Sequence, residues 1–316
     1  MKAAVVTSFD AAPEFGDFDE PLAGEGETVV MVGAAPLSPI VRALAAGRHY
    51  AGARSAGFVA GVDGVGTDPD GRRVYFLFPK APFGSMAERA LVSSGMLVPV
   101  PEELADDQAA AIATAGLASW IALTRRAKLQ NGETVLVTGA NGAAGRMALQ
   151  LARHLGASKT VAVARTPDRL EGLDADVKIA LNDSADEALR AQFDAGIDIV
   201  LDFVWGEPAS RILKAAASNR GSPRGEPRLR YVQLGTLAGD VIPLRGDMLR
   251  GSGLELLGSG IGSVPVKELL AGAGELLAAS PAAGFAPPFQ TLPLNKVAEA
   301  WSGNPKVRYI IQPNRI

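Results

Sequence analysis

No cysteine occurs among the 316 residues, so the chain forms no disulfide and offers no thiolate to a metal or a substrate. Histidine is nearly as scarce: the two present, His49 and His154, are far apart in sequence and carry no metal-ligand spacing. Long apolar runs are missing as well. The longest uncharged one, Ala109 to Leu123, falls short of the roughly 20 residues that a membrane-crossing helix needs. The formal net charge is −3, and this lack of positive excess argues against a nucleic-acid surface. The opening MKAAVVTSFD meets an acid after a short apolar run, so it lacks the apolar core and cleavage site of a secretory signal. A cytoplasmic protein that engages neither nucleic acid nor membrane is expected. No Ser/His/Asp set, paired-carboxylate constellation or P-loop stands out, which removes the usual evidence for hydrolysis and phosphoryl transfer.

What the chain has in quantity is apolar residue, 47% of the total, enough for buried cores at a length that suggests about two domains. Its most informative stretch is Glu133 to Arg165, ETVLVTGANGAAGRMALQLARHLGASKTVAVAR. Val135, Leu136 and Val137 predict a strand, and the turn GANGAAG follows with glycines at 139, 142 and 145. Met147, Ala148, Leu151, Ala152 and Leu155 then fall on one helical face, with Arg146, Gln150, Arg153 and His154 opposite. Gly156 is placed to stop this helix, and Thr160 to Ala164 completes a βαβ unit. In such a unit Gly139 allows a tight turn, Gly142 lets backbone approach a pyrophosphate, and Gly145 lets helix pack closely on strand. Free amides at the helix start hold the phosphates. The candidate cofactor contacts here are Gly139, Ala140, Asn141, Gly142, Ala143, Ala144, Gly145 and Arg146. The spacing is GxxGxxG rather than GxGxxG, and a βαβ unit with a glycine turn and no ligand is the plainer alternative.

The rest of the chain sorts by texture. Residues 1 to about 100 read as β-rich, with runs at Ala3 to Val6, Thr28 to Val32, Arg73 to Phe78 and Ala87 to Val92. A hairpin turn is expected at Asp70-Gly71, and a helix at Pro39 to Ala46 capped by Ser38. An alanine-rich helix over Asp106 to Lys128 bridges to the second region. From there strands are predicted at Thr134 to Thr138, Thr160 to Ala164, Val177 to Leu181, Ile197 to Asp202, Arg230 to Leu234 and Glu255 to Gly258. Alternating with helices, they predict an α/β fold: a doubly wound, six-stranded parallel sheet of Rossmann type. Ser218 to Arg228 reads as an exposed loop. A helix from about Pro265 to Ala279 would close this domain, and the strand, short helix and strand beyond Pro287-Pro288 fit back onto the N-terminal β region. The expected domains are residues 1–117 with 284–316, and residues 118–283.

At this point the residues resemble the medium-chain dehydrogenase/reductase superfamily, and within it the zinc-independent quinone oxidoreductase and enone reductase branch. The landmarks are APLSPIVRALAAGRHY (Ala35 to Tyr50), GVDGVG (Gly61 to Gly66), GRRV (Gly71 to Val74), SMAERALV (Ser85 to Val92), the glycine turn and IDIVLDFVWG (Ile197 to Gly206), in that order over nearly the whole chain. The resemblance implies a GroES-like small domain beside the Rossmann domain. It departs at Ser38-Pro39-Ile40-Val41, where the family often has Asn-Pro-x-Asp, and at Gly61-Val62-Asp63, where zinc-using relatives carry Gly-His-Glu. It implies a pocket formed by Ser38, Tyr50 and Phe83 with Phe203, Val204, Leu234, Gly235 and Thr236. Ser38 and Tyr50 are the catalytic candidates. Tyr50 is either a hydrogen-bond donor to a developing oxyanion or a packed aromatic.

Cofactor choice turns on Arg165, which stands 20 positions past Gly145, where an NAD site usually has an acid for the ribose hydroxyls. A guanidinium cannot accept that bond but can fork onto a 2′-phosphate, so with Thr166 and Arg169 it points to NADPH; otherwise it is a solvated arginine in a turn. The expected activity is NADPH-dependent hydride transfer to quinones, enones or related conjugated carbonyls without a metal. The alternatives are a non-enzymatic NADPH-binding protein and a zinc-independent alcohol or carbonyl oxidoreductase. A homodimer is expected through Glu255 to Ser259, which the resemblance puts at the sheet edge.

Overall fold

Short apolar runs broken by glycine and proline fold as strands through the first part of the chain. The computed structural model describes residues 1–52, 55–304 and 307–314. In order come β1 (Lys2–Val6), β2 (Glu14–Asp17), β3 (Glu27–Leu37), helix α1 (Pro39–Ala45), β4 (Phe58–Val59), β5 (Asp63–Thr67), β6 (Arg73–Leu77), β7 (Arg89–Ser93), β8 (Leu97–Pro99) and helix α2 (Asp106–Ile121). Ser38 caps α1, its hydroxyl accepting from the Val41 N–H at 3.4 Å, and Pro39 opens the helix. The turn joining β5 to β6 is built on the Asp68 carboxylate, which accepts from the Asp70 and Arg72 amides, with Gly71 at φ 80°.

Strand β3 is the spine of this region. Its first half pairs antiparallel with β7 and its middle with β5, with a register shift between Val32 and Ala34. Gly33 stands at that shift, where a Cβ would lie 2.3 Å from Asp106 Oδ2. The same carboxylate holds Arg73 through Nε at 3.0 Å and Nη2 at 2.7 Å, tying β6 to the first turn of α2. After Ile121 the helix continues as a π-helical turn over Ala122–Ala127 and stops at Lys128, which is left-handed with φ 54°.

The alternating part follows: β9 (Thr134–Thr138), α3 (Ala143–His154), β10 (Lys159–Ala164), β11 (Val177–Ala180), α4 (Ala185–Gly196), β12 (Ile199–Asp202), α5 (Gly206–Ala216), β13 (Leu229–Gln233), α6 (Gly246–Gly251) and β14 (Leu254–Gly258). The six strands lie in the order β11-β10-β9-β12-β13-β14, every neighbouring pair parallel, which is the doubly wound sheet that the alternation predicts. Strand β9 is buried at all five positions, as a parallel strand covered on both faces must be. Helix α3 buries Met147, Ala148, Leu151 and Ala152 and leaves Gln150, Arg153 and His154 exposed. The loop between α5 and β13 closes on itself: Glu226 pairs with Arg220 and accepts from the Gly221 and Ser222 amides, while Arg228 forks onto Glu255 at 2.7 Å through two nitrogens.

The chain ends with α7 (Val266–Ala283), β15 (Gln290–Pro293), α8 (Val297–Ser302) and β16 (Tyr309–Gln312). Strand β16 pairs antiparallel with β3 and parallel with β15, extending the N-terminal sheet. Arg42 of α1 donates to the Trp301 and Ala300 carbonyls at 2.6 and 2.9 Å and lies over the Trp301 ring, and Arg308 donates to the Leu37 carbonyl at 3.1 Å. By its contacts the chain divides into two units, Met1–Leu117 with Pro265–Ile316, and Ala118–Val264. Helix α7 thus groups with the first unit, where the sequence reading runs the nucleotide domain on to residue 283. Its Ala273, Leu276 and Leu277 are fully buried, and Gly274 lies beside Val98 of β8. No helix among the described residues is long and apolar enough to cross a membrane.

One buried acid makes this first unit sensitive to pH. Asp63 of β5 is 5% exposed and accepts from the Tyr75 hydroxyl at 3.0 Å. Burial pushes its carboxyl up to about 7, against the opposing pull of the Tyr75 hydrogen bond and the Arg308 charge. An acid whose folded pKa is raised favours the fold when protonated, so its contribution is whole below the ordinary carboxylate range and is lost as pH rises through 7. We expect unfolding free energy to fall with rising pH between 4 and 8 by an amount on the order of 4 kcal/mol from this group. Urea titrations of Asp63→Asn should show that slope removed, and equal slopes in both proteins would refute the assignment.

Candidate functional site

Strand β9 ends at Thr138, and the chain turns through Gly139, Ala140, Asn141 and Gly142 into α3. Gly139 has φ 59°, a left-handed value that suits glycine. A Cβ on Gly145 would lie 2.4 Å from the Gly139 carbonyl oxygen and 2.7 Å from Ala140 Cα, so helix and turn touch backbone to backbone. Gly142 differs: its nearest neighbour would be the Gly139 oxygen at 3.4 Å, so its outer side is open. As N-cap of α3 it supplies no side-chain acceptor to the first-turn amides of Ala143, Ala144 and Gly145. That combination, an open glycine before uncapped amides, fits the pyrophosphate of a dinucleotide. Arg146 donates from Nε to the Asn141 carbonyl at 3.2 Å, which keeps its guanidinium beside the turn.

At the end of β10, Arg165 is exposed and Thr166 precedes a 3-10 turn opened by Pro167 and including Arg169. Neither guanidinium has a hydrogen-bond or ion-pair partner among the described residues. Two such cations close together in the chain suit a phosphate better than a ribose hydroxyl.

The ends of β12 and β13 complete this edge of the sheet. Asp202 is fully buried; its Oδ1 accepts from Thr138 Oγ1 at 2.6 Å, Val204 N at 3.0 Å and Trp205 N at 3.2 Å, and its Oδ2 accepts from the Tyr231 hydroxyl at 2.8 Å. Thr138 Oγ1 also accepts from Phe203 N at 3.0 Å. The Leu234 and Gly235 amides donate to the Asp202 carbonyl, and Ala238 N to that of Val204. A Cβ on Gly235 would meet the Phe203 oxygen at 2.6 Å, and one on Gly139 would meet Val204 Cγ1 at 3.1 Å. The structure therefore brings the glycine turn, Phe203, Val204, Leu234 and Gly235 together, with Thr236 exposed just beyond. They lie at the carboxyl ends of β9, β12 and β13, beside the β9/β12 neighbours where the strand order reverses and open α/β sheets bind ligands.

The candidates of the first unit are placed differently. Ser38 is 5% exposed and its hydroxyl oxygen is engaged as the α1 cap, leaving its proton available to donate. Tyr50 is 76% exposed, with its ring stacked on His49 at 4.3 Å between centroids. Phe83 lines a cavity of about 140 Å³ with Val41, Leu44, Phe58 and Val62, and every residue around it is apolar. Asp63 and its neighbours form no metal set: among the described residues no three His, Cys, Asp or Glu side chains gather to hold an ion.

No family model matches the chain. A protein of Emericella nidulans described as a probable NADPH-dependent quinone reductase is 30% identical over 316 aligned positions, covering 85% of this chain and 87% of the relative. The chain belongs to the quinone reductase branch of the medium-chain dehydrogenase/reductase superfamily. Among solved structures, the quinone oxidoreductase of Thermus thermophilus, determined alone and with NADPH, superposes on this chain with a TM-score of 0.80 at 28% identity, covering 99% of this chain and 100% of the other. A probable oxidoreductase of Mycobacterium abscessus gives 0.73 at 25% identity, covering 99% and 98%.

Sequence reasoning names the landmark around Asp202 but gives neither Asp202 nor Thr138 a role. The available signal is a single acid closing an apolar strand beside a threonine that closes its neighbour. For the glycines, the expected outcomes differ by position. Gly145→Ala forces backbone apart and should cost about 1 to 3 kcal/mol in urea unfolding. Gly142→Ala should leave stability within about 0.5 kcal/mol, and its methyl should weaken dinucleotide binding by calorimetry about tenfold or more. Undiminished binding by Gly142→Ala would sink the cradle.

Proposed function

We propose that this quinone reductase family member is an NADPH-dependent reductase of quinones, enones or related conjugated carbonyls that works without zinc. The observation that carries the reading is the open Gly142 cradle together with the Arg165 and Arg169 guanidiniums at the end of β10, which have no partner among the described residues. The relatives described as NADPH-dependent or solved with NADPH support it. The first-turn amides of α3 would hold the pyrophosphate, with Arg146 beside them. Arg165, Thr166 and Arg169 would hold the 2′-phosphate, and Phe203, Val204, Leu234, Gly235 and Thr236 would line the nicotinamide end. When bound, the reduced nicotinamide supplies the hydride. A conjugated carbonyl is already electrophilic, so the chain has to hold it in line and place a donor near the oxygen that gathers charge. Ser38 and Tyr50 are the proposed donors. The apolar cavity beside Phe83 suits an uncharged ring rather than a carboxylate.

Zinc-free action rests on the donor set: no cysteine, two histidines far apart in sequence, and Asp63 engaged with Tyr75. The exposure of Tyr50 favours a second reading, a non-enzymatic NADPH-binding protein. Steady turnover with any electrophile ends that reading. We further propose a homodimer through β14, an edge strand whose Leu256 is 37% exposed, preceded by Leu237 and Val241 at 79% each. Light scattering at micromolar concentration should give twice the chain mass, and a monomer there would exclude it.

Two further outcomes are expected. Arg165→Ala should weaken NADPH about ten- to a hundredfold and leave NADH nearly unchanged, since one charged hydrogen-bonded contact is worth about 1.5 to 3 kcal/mol. Equal losses for both cofactors would make Arg165 structural. NADPH oxidation should proceed with neutral quinones or enones in the presence of chelator, with little NADP reduction by simple primary alcohols. Dominant alcohol oxidation, or activity that vanishes with chelator and returns with zinc, would overturn the reaction class.

A further inference from the structure

Strand β12 reads Ile-Val-Leu-Asp and is buried at all four positions, so an acid closes an otherwise apolar strand. A carboxylate taken out of water needs donors, and Asp202 has two hydroxyls and two backbone amides. The amides are those of Val204 and Trp205, so the carboxylate clamps the backbone that leaves the strand. That backbone is strained. Trp205 has φ 53° and ψ −155°, a region that glycine occupies almost alone. Its ring packs on the nucleotide-unit core and meets Tyr231 at 6.3 Å, while Gly206 next to it accepts no side chain because a Cβ would meet the Ala238 oxygen at 2.4 Å. Burial, reinforced by the Asp202 charge, raises the Tyr231 phenol well above its usual value, so this group keeps its proton and remains a donor.

We propose that Asp202 is a positioning residue for hydride transfer: with Thr138 and Tyr231 it holds the Phe203–Trp205 turn in a strained shape that forms the surface for the nicotinamide end of the cofactor. The proposal rests on the NADPH reading above. The phosphate end would be held by the first-turn amides of α3 and by Arg165, none of which bonds to Asp202, so loosening the clamp should leave most of the binding intact. Transfer depends on alignment, and a displacement near 1 Å can cost on the order of a hundredfold in rate.

The test uses Thr138→Val, which removes the hydroxyl that donates to Asp202 and accepts from Phe203 N, with Thr138→Ser and Asp202→Asn beside it. In the full-length protein without cofactor, hydrogen exchange of the 203–206 amides should quicken about tenfold or more in Thr138→Val and Asp202→Asn, with β10 unchanged. With NADPH and a quinone, kcat should fall about tenfold or more in both, while the NADPH Kd from tryptophan fluorescence moves by less than about threefold. Thr138→Ser should recover most of the loss. Unchanged exchange at 203–206, or parallel losses of kcat and affinity, overturns the proposal. If a variant fails to fold, Tyr231→Phe, which removes the Oδ2 partner alone, is read by the same split. A wild-type chain that neither binds nor oxidises NADPH overturns the functional reading, and the exchange arm still decides whether Asp202 holds the turn.

Discussion

Helix α3 can start where it does because Gly145 has no side chain. A Cβ at 145 would lie 2.4 Å from the Gly139 carbonyl oxygen, so any side chain there would push the first turn of the helix off the glycine turn. The start of the helix inherits its position from this close approach. The uncapped amides of the first turn are set over the strand end, Gly142 is left on the open side, and Val204 reaches Gly139 within the space that glycine leaves. A larger residue at 145 would displace backbone, which the turn cannot absorb by rotating a side chain.

How much of this is readable in the residues differs between the two units for a physical reason. In the nucleotide unit each strand is a short, mostly apolar run in an alternating strand–helix pattern, so all six strands are legible to within a few residues of their ends. In the first unit β5 is hidden, because its DGVGT carries glycines that read as turn. They are close-packing glycines: a Cβ on Gly66 would lie 2.2 Å from the Met31 carbonyl oxygen. Strands β2 and β4 are too short for a periodic signal. The π-helical turn after Ile121 carries no composition cue either, since an i→i+5 turn uses the same residues as an α-helix. The grouping of α7 follows from contacts between distant segments, which local pattern does not encode.

The site shows the same division. Glycine spacing marks the turn proposed as the phosphate cradle, and counting positions reaches the exposed Arg165 at the end of β10, because both depend on local geometry. Ser38 is legible as a cap, which is again a local property, whereas the exposure of Tyr50 depends on how its segment lies. Asp202 is legible only as a letter, since its meaning comes from Thr138 and Tyr231 on the two strands that flank β12.

Comparing magnitudes explains why a tryptophan can persist at position 205. Holding a non-glycine residue in that backbone region costs about 1 to 3 kcal/mol. Hydrogen bonds to a charged group contribute about 1.5 to 3 kcal/mol each, and the Asp202 carboxylate has four, two of them fixing the amides on the strained segment itself. Even discounted for the desolvation of the acid, that network outweighs the strain, and the partly buried indole adds packing on the nucleotide-unit core. The order of dependence is therefore definite: the carboxylate makes the turn tolerable, and the turn makes the indole position possible. Relieving the strain at Trp205 with glycine would leave the clamp in place, whereas removing the clamp would leave the strain without its support.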